Sequence, residues 1–291
     1  MINILLSILS STSIFILFRG IGKFKVSTFH AIIINYLVAC SLGFTMSSGW
    51  SIIPQTLEKN WFFLSLIMGV LFIVMFFMIG ISSQRAGISI TTVACKMSVI
   101  IPILFSILYY KELVAWQKIS GICLALVALL FSVWKKPEKK ESIFLILLPL
   151  ILFAGLGTID TLVKYAQQSY LLPDEVAFFT AFVFGISFVV GVAVGVFGKN
   201  FFSGFAHINT LIFGTLLGLS NFGSFYFMIK ALNTKEMDSS IVFGINNIGI
   251  VALSVMAGLI LFKERLKIIN WIGIGFSIIA IWFLTGLYGI G

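Results

Sequence analysis

The chain has 291 residues; sixty per cent are hydrophobic, only ten per cent are charged, and the mean hydropathy is +1.14. A soluble domain needs far more polar surface, so the composition excludes one and indicates a polytopic membrane protein. The net charge of +9 does not indicate a nucleic-acid partner, because Lys and Arg near the ends of spans contact lipid headgroups and set orientation.

Crossing a ~30 Å hydrocarbon core takes roughly 20 apolar residues in a helix. Ten such runs follow one another, at 2–19, 27–47, 61–83, 87–110, 115–134, 143–167, 174–198, 205–230, 238–262 and 267–288. A membrane β-barrel is excluded because runs such as Ile143–Ala154, "IFLILLPLILFA", do not alternate. The first run has no positive residue before it and continues into Arg19, unlike a secretory signal. Serines at 9–13 read as helix-packing groups, as do the small-residue faces Gly191/Gly195 and Gly214/Gly218. Cys40, Cys95 and Cys123 all fall inside spans and read as small core residues, with no CxxC metal site and no cofactor expected. Trp61, Tyr109, Tyr110, Trp116, Trp134 and Trp271 fall near span ends, as an interfacial aromatic belt would.

The fourth span contains Lys96. Arg85 lies eleven residues before it and Lys111 fifteen after, so it stands roughly 16 Å from one end of the run and roughly 22 Å from the other at 1.5 Å per residue. Snorkelling covers neither distance. The ammonium must face an aqueous cavity, pair with an acid or lose its proton. Thr92 is one turn earlier on the same face. The sixth span carries Asp160, the one acid well inside a run, which offers two structural readings, a pair with Lys96 or an (i, i+4) pair with Lys164, and one functional reading as a protonatable coupling site. Asn35 and Tyr36 on the second span, Asn221 and Tyr226 on the eighth, and Asn246 and Asn247 on the ninth complete the polar set. The last pair reads either as an interhelical hydrogen-bonding device or as part of a site.

A hydrophilic linker at 135–142, "KKPEKKES", divides the chain into a first unit, 1–134, and a second, 143–291, with five spans each. Residues 111–131, "KELVAWQKISGICLALVALLF", align without gaps with 263–283, "KERLKIINWIGIGFSIIAIWF", sharing Lys-Glu, Gly-Ile, Ala and Phe at equal spacing. That is an internal duplication. Five spans per half is odd, so the halves enter the membrane in opposite senses, and inverted-repeat transporters place their substrate site near the midplane where the repeats meet. The same shift carries Lys96 onto Ile248, directly after Asn246 and Asn247.

Ten short spans in two halves, with Glu112 and Glu264 closing a fourth span before a glycine-containing fifth, resemble the drug/metabolite transporter superfamily, and within it the EamA-type transporters. Arg19 in "ILFRG" and Lys164 in "TLVKY" match the basic residue that tends to close the first span of each repeat. The resemblance implies an all-α bundle of ten transmembrane helices, as two inverted five-helix repeats around a central cavity, working by alternating access. The nucleotide-sugar branch carries a substrate-contacting Gly-Ala-Leu-Asn-Lys motif on its ninth span; Gly244 and Asn247 match it here, while its lysine position is Ile248.

Together these features indicate a secondary active transporter, an exporter or exchanger, of a small polar metabolite with an anionic group, such as an amino acid or organic acid. Lys96, Thr92, Asn246, Asn247 and Asn221 are the substrate-binding candidates and Asp160 the coupling candidate. The alternative is an exporter of cationic or lipophilic drugs coupled to protons through Asp160. The absence of HExxH, paired intramembrane aspartates or a lipid-phosphate motif argues against an intramembrane enzyme, and the absence of GxxxxGK[ST] against direct ATP drive. The expected partners are the substrate, the lipid bilayer, and protons or a counter-substrate, in a bacterial inner membrane. Six Lys fall on the side of the termini and twelve Lys and Arg on the other, so the positive-inside rule puts both termini outside, whereas the family resemblance implies both in the cytoplasm.

Overall fold

The computed structural model describes residues 1–47, 56, 58–109, 111, 116–133, 143–171, 175–198, 201–233 and 239–284. The linker 135–142, Tyr110, Glu112 and Trp134 lie outside the described residues. Among the described residues the chain is helical, without strands: α1 (Ile2–Lys23), α2 (Thr28–Met46), α3 (Phe62–Arg85), α4 (Ile88–Met97), α5 (Ile100–Tyr109), α6 (Trp116–Val133), α7 (Ile143–Ser169), α8 (Val176–Val196), a 3-10 turn (Phe202–Ala206), α9 (Ile208–Asn233), α10 (Ser239–Phe262) and α11 (Ile268–Leu284).

Eight spans are long and apolar enough to cross a membrane, counting α4 and α5 as one interrupted span; α6 and α11 add shorter apolar stretches, Ile119–Phe131 and Ile268–Leu284. Large apolar side chains such as Phe63, Leu108, Leu130, Val194 and Ile260 stand exposed on the outer faces of these helices. Lipid covers such a surface at no cost, and water does not. The protein is an integral membrane protein.

Three helix ends are tied by charged groups from elsewhere in the chain. Arg19 of α1 donates to the carbonyls of Ser83 and Gln84, at 3.1 Å for Ser83, and so caps the C-terminus of α3. Glu264, just past α10, accepts from Ile88 N at 2.6 Å and Ser89 N at 3.2 Å and from Ser89 Oγ at 2.8 Å. That carboxylate caps the exposed N–H groups that begin α4, where the helix dipole favours an anion. It also explains Gly87: its φ is +101°, and a Cβ there would sit 2.7 Å from Glu264 Oε1. Lys59 closes on Glu175, the residue before α8, at 2.6 Å. Lys111 and Lys263, the lysines of the two Lys-Glu segments, both adopt the left-handed conformation, with φ of 53° and 52°. A residue with a side chain adopts that conformation at a cost of roughly 1–2 kcal/mol.

Glycines set how closely the helices approach. Gly214 and Gly218 lay α9 on α2; a Cβ at Gly218 would meet the Asn35 carbonyl at 2.8 Å and Val38 Cβ at 2.6 Å. Gly69 of α3 faces Ile186 of α8, and Ser187 Oγ donates to its carbonyl at 2.8 Å. The serine-rich start of the chain does pack: Ser7 Oγ donates to Ser224 O across α1 and α9 at 3.0 Å, and Ser13 Oγ donates to its own helix at Leu9 O. The most extensive helix pair is α6 with α11. Helix α1 packs on α9, α10 and α3, α2 on α8 and α9, α3 on α7 and α8, and α4 on α10, α7 and α6.

Two side-chain placements differ from expectation. Trp61 is not part of an interfacial belt: it is 1% exposed and packs edge-on to Phe178, Phe179 and Phe182. Its size and shape gain more from that aromatic cluster than from a headgroup contact. Trp116, Trp271 and Tyr109 do stand exposed. Cys123 is exposed on α6 rather than in the core, while Cys95 is buried.

Candidate functional site

The fourth span was expected to run unbroken over 87–110, and it does not. Helix α4 ends at Met97 and α5 begins at Ile100, with turn backbone at Ser98 and Val99. Pro102 supplies the cause. It has no N–H to offer the Ser98 carbonyl four residues back. That carbonyl accepts instead from Ile101 N at 3.0 Å, one residue tighter than an α-helix allows. Ser98 Oγ in turn donates to Cys95 O at 2.6 Å. Interrupted helices at membrane depth occur where backbone lines a cavity or is buried in protein.

Lys96 sits in the last turn of α4, beside this break. The carbonyl end of a helix favours a cation there. Asp160 of α7 approaches from the neighbouring helix, its Oδ2 3.5 Å from Ser98 Oγ, whose one proton goes to the much nearer Cys95 carbonyl. Lys96 and Asp160 lie within electrostatic reach of each other. They do not close to a salt bridge: their charged atoms are more than 4.0 Å apart, and so are those of Asp160 and Lys164. Asp160 is exposed and Lys96 is half-buried.

Thr92, one turn before Lys96 on the same face of α4, is fully buried, and among the described residues its Oγ1 has no hydrogen-bond partner. Asn246 and Asn247 are buried on α10, which packs against α4, and the Asn246 Oδ1 is likewise unpartnered. Buried oxygens left without a donor cost free energy until something supplies one. Ile248, onto which the alignment of the two Lys-Glu segments carries Lys96, packs on the apolar seam of Val93, Met97, Ile100 and Val251.

Asn221 is placed differently. It lies at the seam of α9 with α2, its amide 3.2 Å from that of Asn35, whose own N–H donates to Leu217 O at 3.1 Å. Tyr36 is fully buried among Phe76 and Phe184 with its hydroxyl unpartnered. A separate pocket between α3, α7, α8 and α9 is lined by Met68, Phe72, Phe179, Phe184 and Phe225, and none of Lys96, Asp160, Asn246 or Asn247 reaches it. Among the described residues no three His, Cys, Asp or Glu are grouped to hold a metal ion. Sequence reasoning passed over Ser98 and Pro102. The signal was present in "KMSVIIP", where a proline follows Lys96 by six residues.

No family model matches the sequence. An uncharacterised protein of Haemophilus influenzae is 31% identical over 293 residues, with 97% of each chain covered. A solved structure described only as a crystal structure of a protein has a TM-score of 0.54 against this chain, at 12% identity, covering 98% of this chain and 96% of its own. At that identity the likeness is one of fold alone. The fold thus defines an integral membrane protein, all-helical among the described residues, whose fourth span is broken beside Lys96. The chain belongs to the same family as the Haemophilus influenzae protein.

Proposed function

We propose that the protein is a secondary active transporter, an exporter or exchanger, of a small polar metabolite that carries an anionic group. The observation that carries this reading is Lys96 itself, a half-buried cation beside the break in the fourth span. A lysine at that depth facing lipid would cost several kcal/mol, and among the described residues no acid closes on it within 4.0 Å. A substrate carboxylate or phosphate would supply the missing partner. The Thr92 hydroxyl could donate to its oxygens, while Asn246 Oδ1, an acceptor, would take a donor from elsewhere on the substrate, with Asn247 beside it. Asn221, bonded toward Asn35, would act by holding α9 on α2. Asp160 is the candidate for coupling to a proton.

In this reading the chain is a ten-span protein of the drug/metabolite transporter type, EamA-like, in a bacterial inner membrane, built from two inverted five-helix units. The helix pairing supports that plan. Exchanging each helix of one unit for its counterpart turns α1 on α9 into α7 on α3. It turns α2 on α9 into α8 on α3, and α1 on α10 into α7 on α4 and α5. The pairs α2–α8, α4–α10 and α6–α11 map onto themselves. The shared left-handed lysines, Lys111 and Lys263, fit the same relation.

A proton-coupled exporter of cationic drugs is the second reading, favoured by the openness of Asp160. Lys96 beside it opposes a cationic substrate. The test is transport by purified protein in proteoliposomes. Lys96→Gln keeps hydrogen bonding and removes the charge, so it is expected to abolish uptake of an anionic substrate while leaving insertion and melting temperature intact. Unchanged transport by Lys96→Gln would remove the site from the reading.

A further inference from the structure

We infer that Glu264 is a latch: it holds the protein shut on the side of the linker 135–142 and has to release before the protein can open to that side. In the transporter reading above, on which this rests, the structure is then the state open toward the termini.

The two central spans pack on one side only. Among the described residues α10 packs on α4, the half of the fourth span nearer the linker side. The other half, α5, packs on α7 and barely touches α10. The spans thus meet toward one membrane face and part toward the other. Burial follows the same gradient. From Ile88 to Ser98 every residue but Ile90 and Lys96 is buried, whereas Leu104, Leu108 and Tyr109 of α5 are exposed.

The contact at the closed end is polar, and the backbone aims it. Lys263 ends α10 in the left-handed conformation, and Glu264 N donates to Gly258 O at 3.0 Å, the six-residue closure of a Schellman turn. That turn brings the Glu264 carboxylate back onto the first N–H groups of α4 and the Ser89 hydroxyl. Two glycines leave it room. A Cβ at Gly87 would sit 2.7 Å from Glu264 Oε1, and one at Gly258 would sit 2.5 Å from Oε2 and 2.8 Å from Ser89 Oγ. The other flank of the α3–α4 turn is gripped from its own unit. Arg19 holds the last carbonyls of α3, and Gln84 Nε2 donates to Thr28 Oγ1 at 2.9 Å. Of these grips, the one from Glu264 joins the two units.

Its chemistry suits release. Lys59 and Glu175 also join the units, but that carboxylate is buried against a cation, and separating such a pair strands a charge. Glu264 is half-buried and holds N–H and O–H groups at a helix end. When it lets go, water can take over both the carboxylate and the N–H groups, so the contact can break and re-form.

The experiment uses the full-length protein in lipid nanodiscs without substrate. The three native cysteines are replaced, and spin labels are placed at Arg85→Cys and Lys267→Cys. Both side chains are exposed, one at the end of α3 and the other just before α11. Pulsed electron paramagnetic resonance reads the distance between the labels. Glu264→Gln removes the charge at nearly constant size. Gly258→Ala keeps the carboxylate and puts a methyl group between it and Ser89. Each is expected to add a second, discrete, longer distance, with the ratio of long to short raised about tenfold, the worth of one charge-assisted hydrogen bond. A cap without a gating role would lower the melting temperature and leave a single distance. That result, or mere broadening in both variants, would overturn the latch. If Glu264→Gln does not fold, Gly258→Ala decides, because alanine favours a helix interior. No substrate enters the measurement. Labels that separate in a protein that moves no solute would refute the transporter reading and leave the latch. A single distance in both variants beside Lys96-dependent uptake would refute the latch alone.

Discussion

At the residue scale the protein turns on one ammonium group. Lys96 lies too far from either end of its span to snorkel, and Asp160 of α7 does not close on it. A compact point charge with three donors suits a carboxylate there, and a planar guanidinium does not reproduce that donor geometry. Lys96→Arg is therefore expected to retain folding and to bind the substrate of the wild type weakly, with KM raised about tenfold or more by the misplaced contact. An Arg variant with unaltered KM would show that charge alone, and not its placement, is what the site uses. Lys96 is legible in the sequence because charges inside apolar runs are rare. Its separation from Asp160 is not legible, since the two residues are 64 positions apart and meet only by the packing of α4 on α7.

At the scale of elements, the interrupted fourth span and its cap matter most. Pro102 leaves the Ser98 carbonyl without its helical donor, and the turn that results places Lys96 at a helix end. Pro102→Ala returns an N–H to that position. It is expected to join α4 to α5, raise the melting temperature and slow transport, because the backbone beside Lys96 then loses its turn. Equal transport with equal melting temperature would show that the interruption survives without the proline. Glu264 acts at the other end of α4. Its carboxylate satisfies two backbone N–H groups and a serine hydroxyl on the helix that carries Lys96. Glu264→Ala should cost about 1–2 kcal/mol of stability, the ordinary worth of a charged N-terminal cap. A melting temperature equal to wild type would mean water or a neighbour replaces it. The Lys-Glu segment was visible as a repeat in the sequence, and a structural role for its glutamate was expected. Its target was hidden, because Glu264 closes the helix of the first unit and not its own.

At the scale of the whole molecule, orientation is set by charge outside the hydrocarbon. Twelve of the Lys and Arg fall on the side opposite the termini, four of them in the linker 135–142. The positive-inside rule then places that linker in the cytoplasm. Ser142→Cys in intact cells should resist a membrane-impermeant maleimide and react once the cells are opened. Labelling from outside would reverse the orientation and agree with the arrangement that the family resemblance implies.

Hydropathy alone determined that this chain crosses a membrane, that its spans are helices, and that Lys96, Asp160 and the Asn246–Asn247 pair need an explanation. These follow from transfer free energies, which belong to single residues and runs of residues and so can be read in order along the chain. Only the tertiary structure decided which of those polar groups meet. It put Asn221 against Asn35 and buried Trp61 among phenylalanines. It sent Glu264 to α4 and brought Asp160 beside the break at Lys96 without joining the two. Such outcomes depend on helix rotation and on how closely backbones approach, which glycines such as Gly69 and Gly218 allow and which no periodicity in an almost uniformly apolar sequence records.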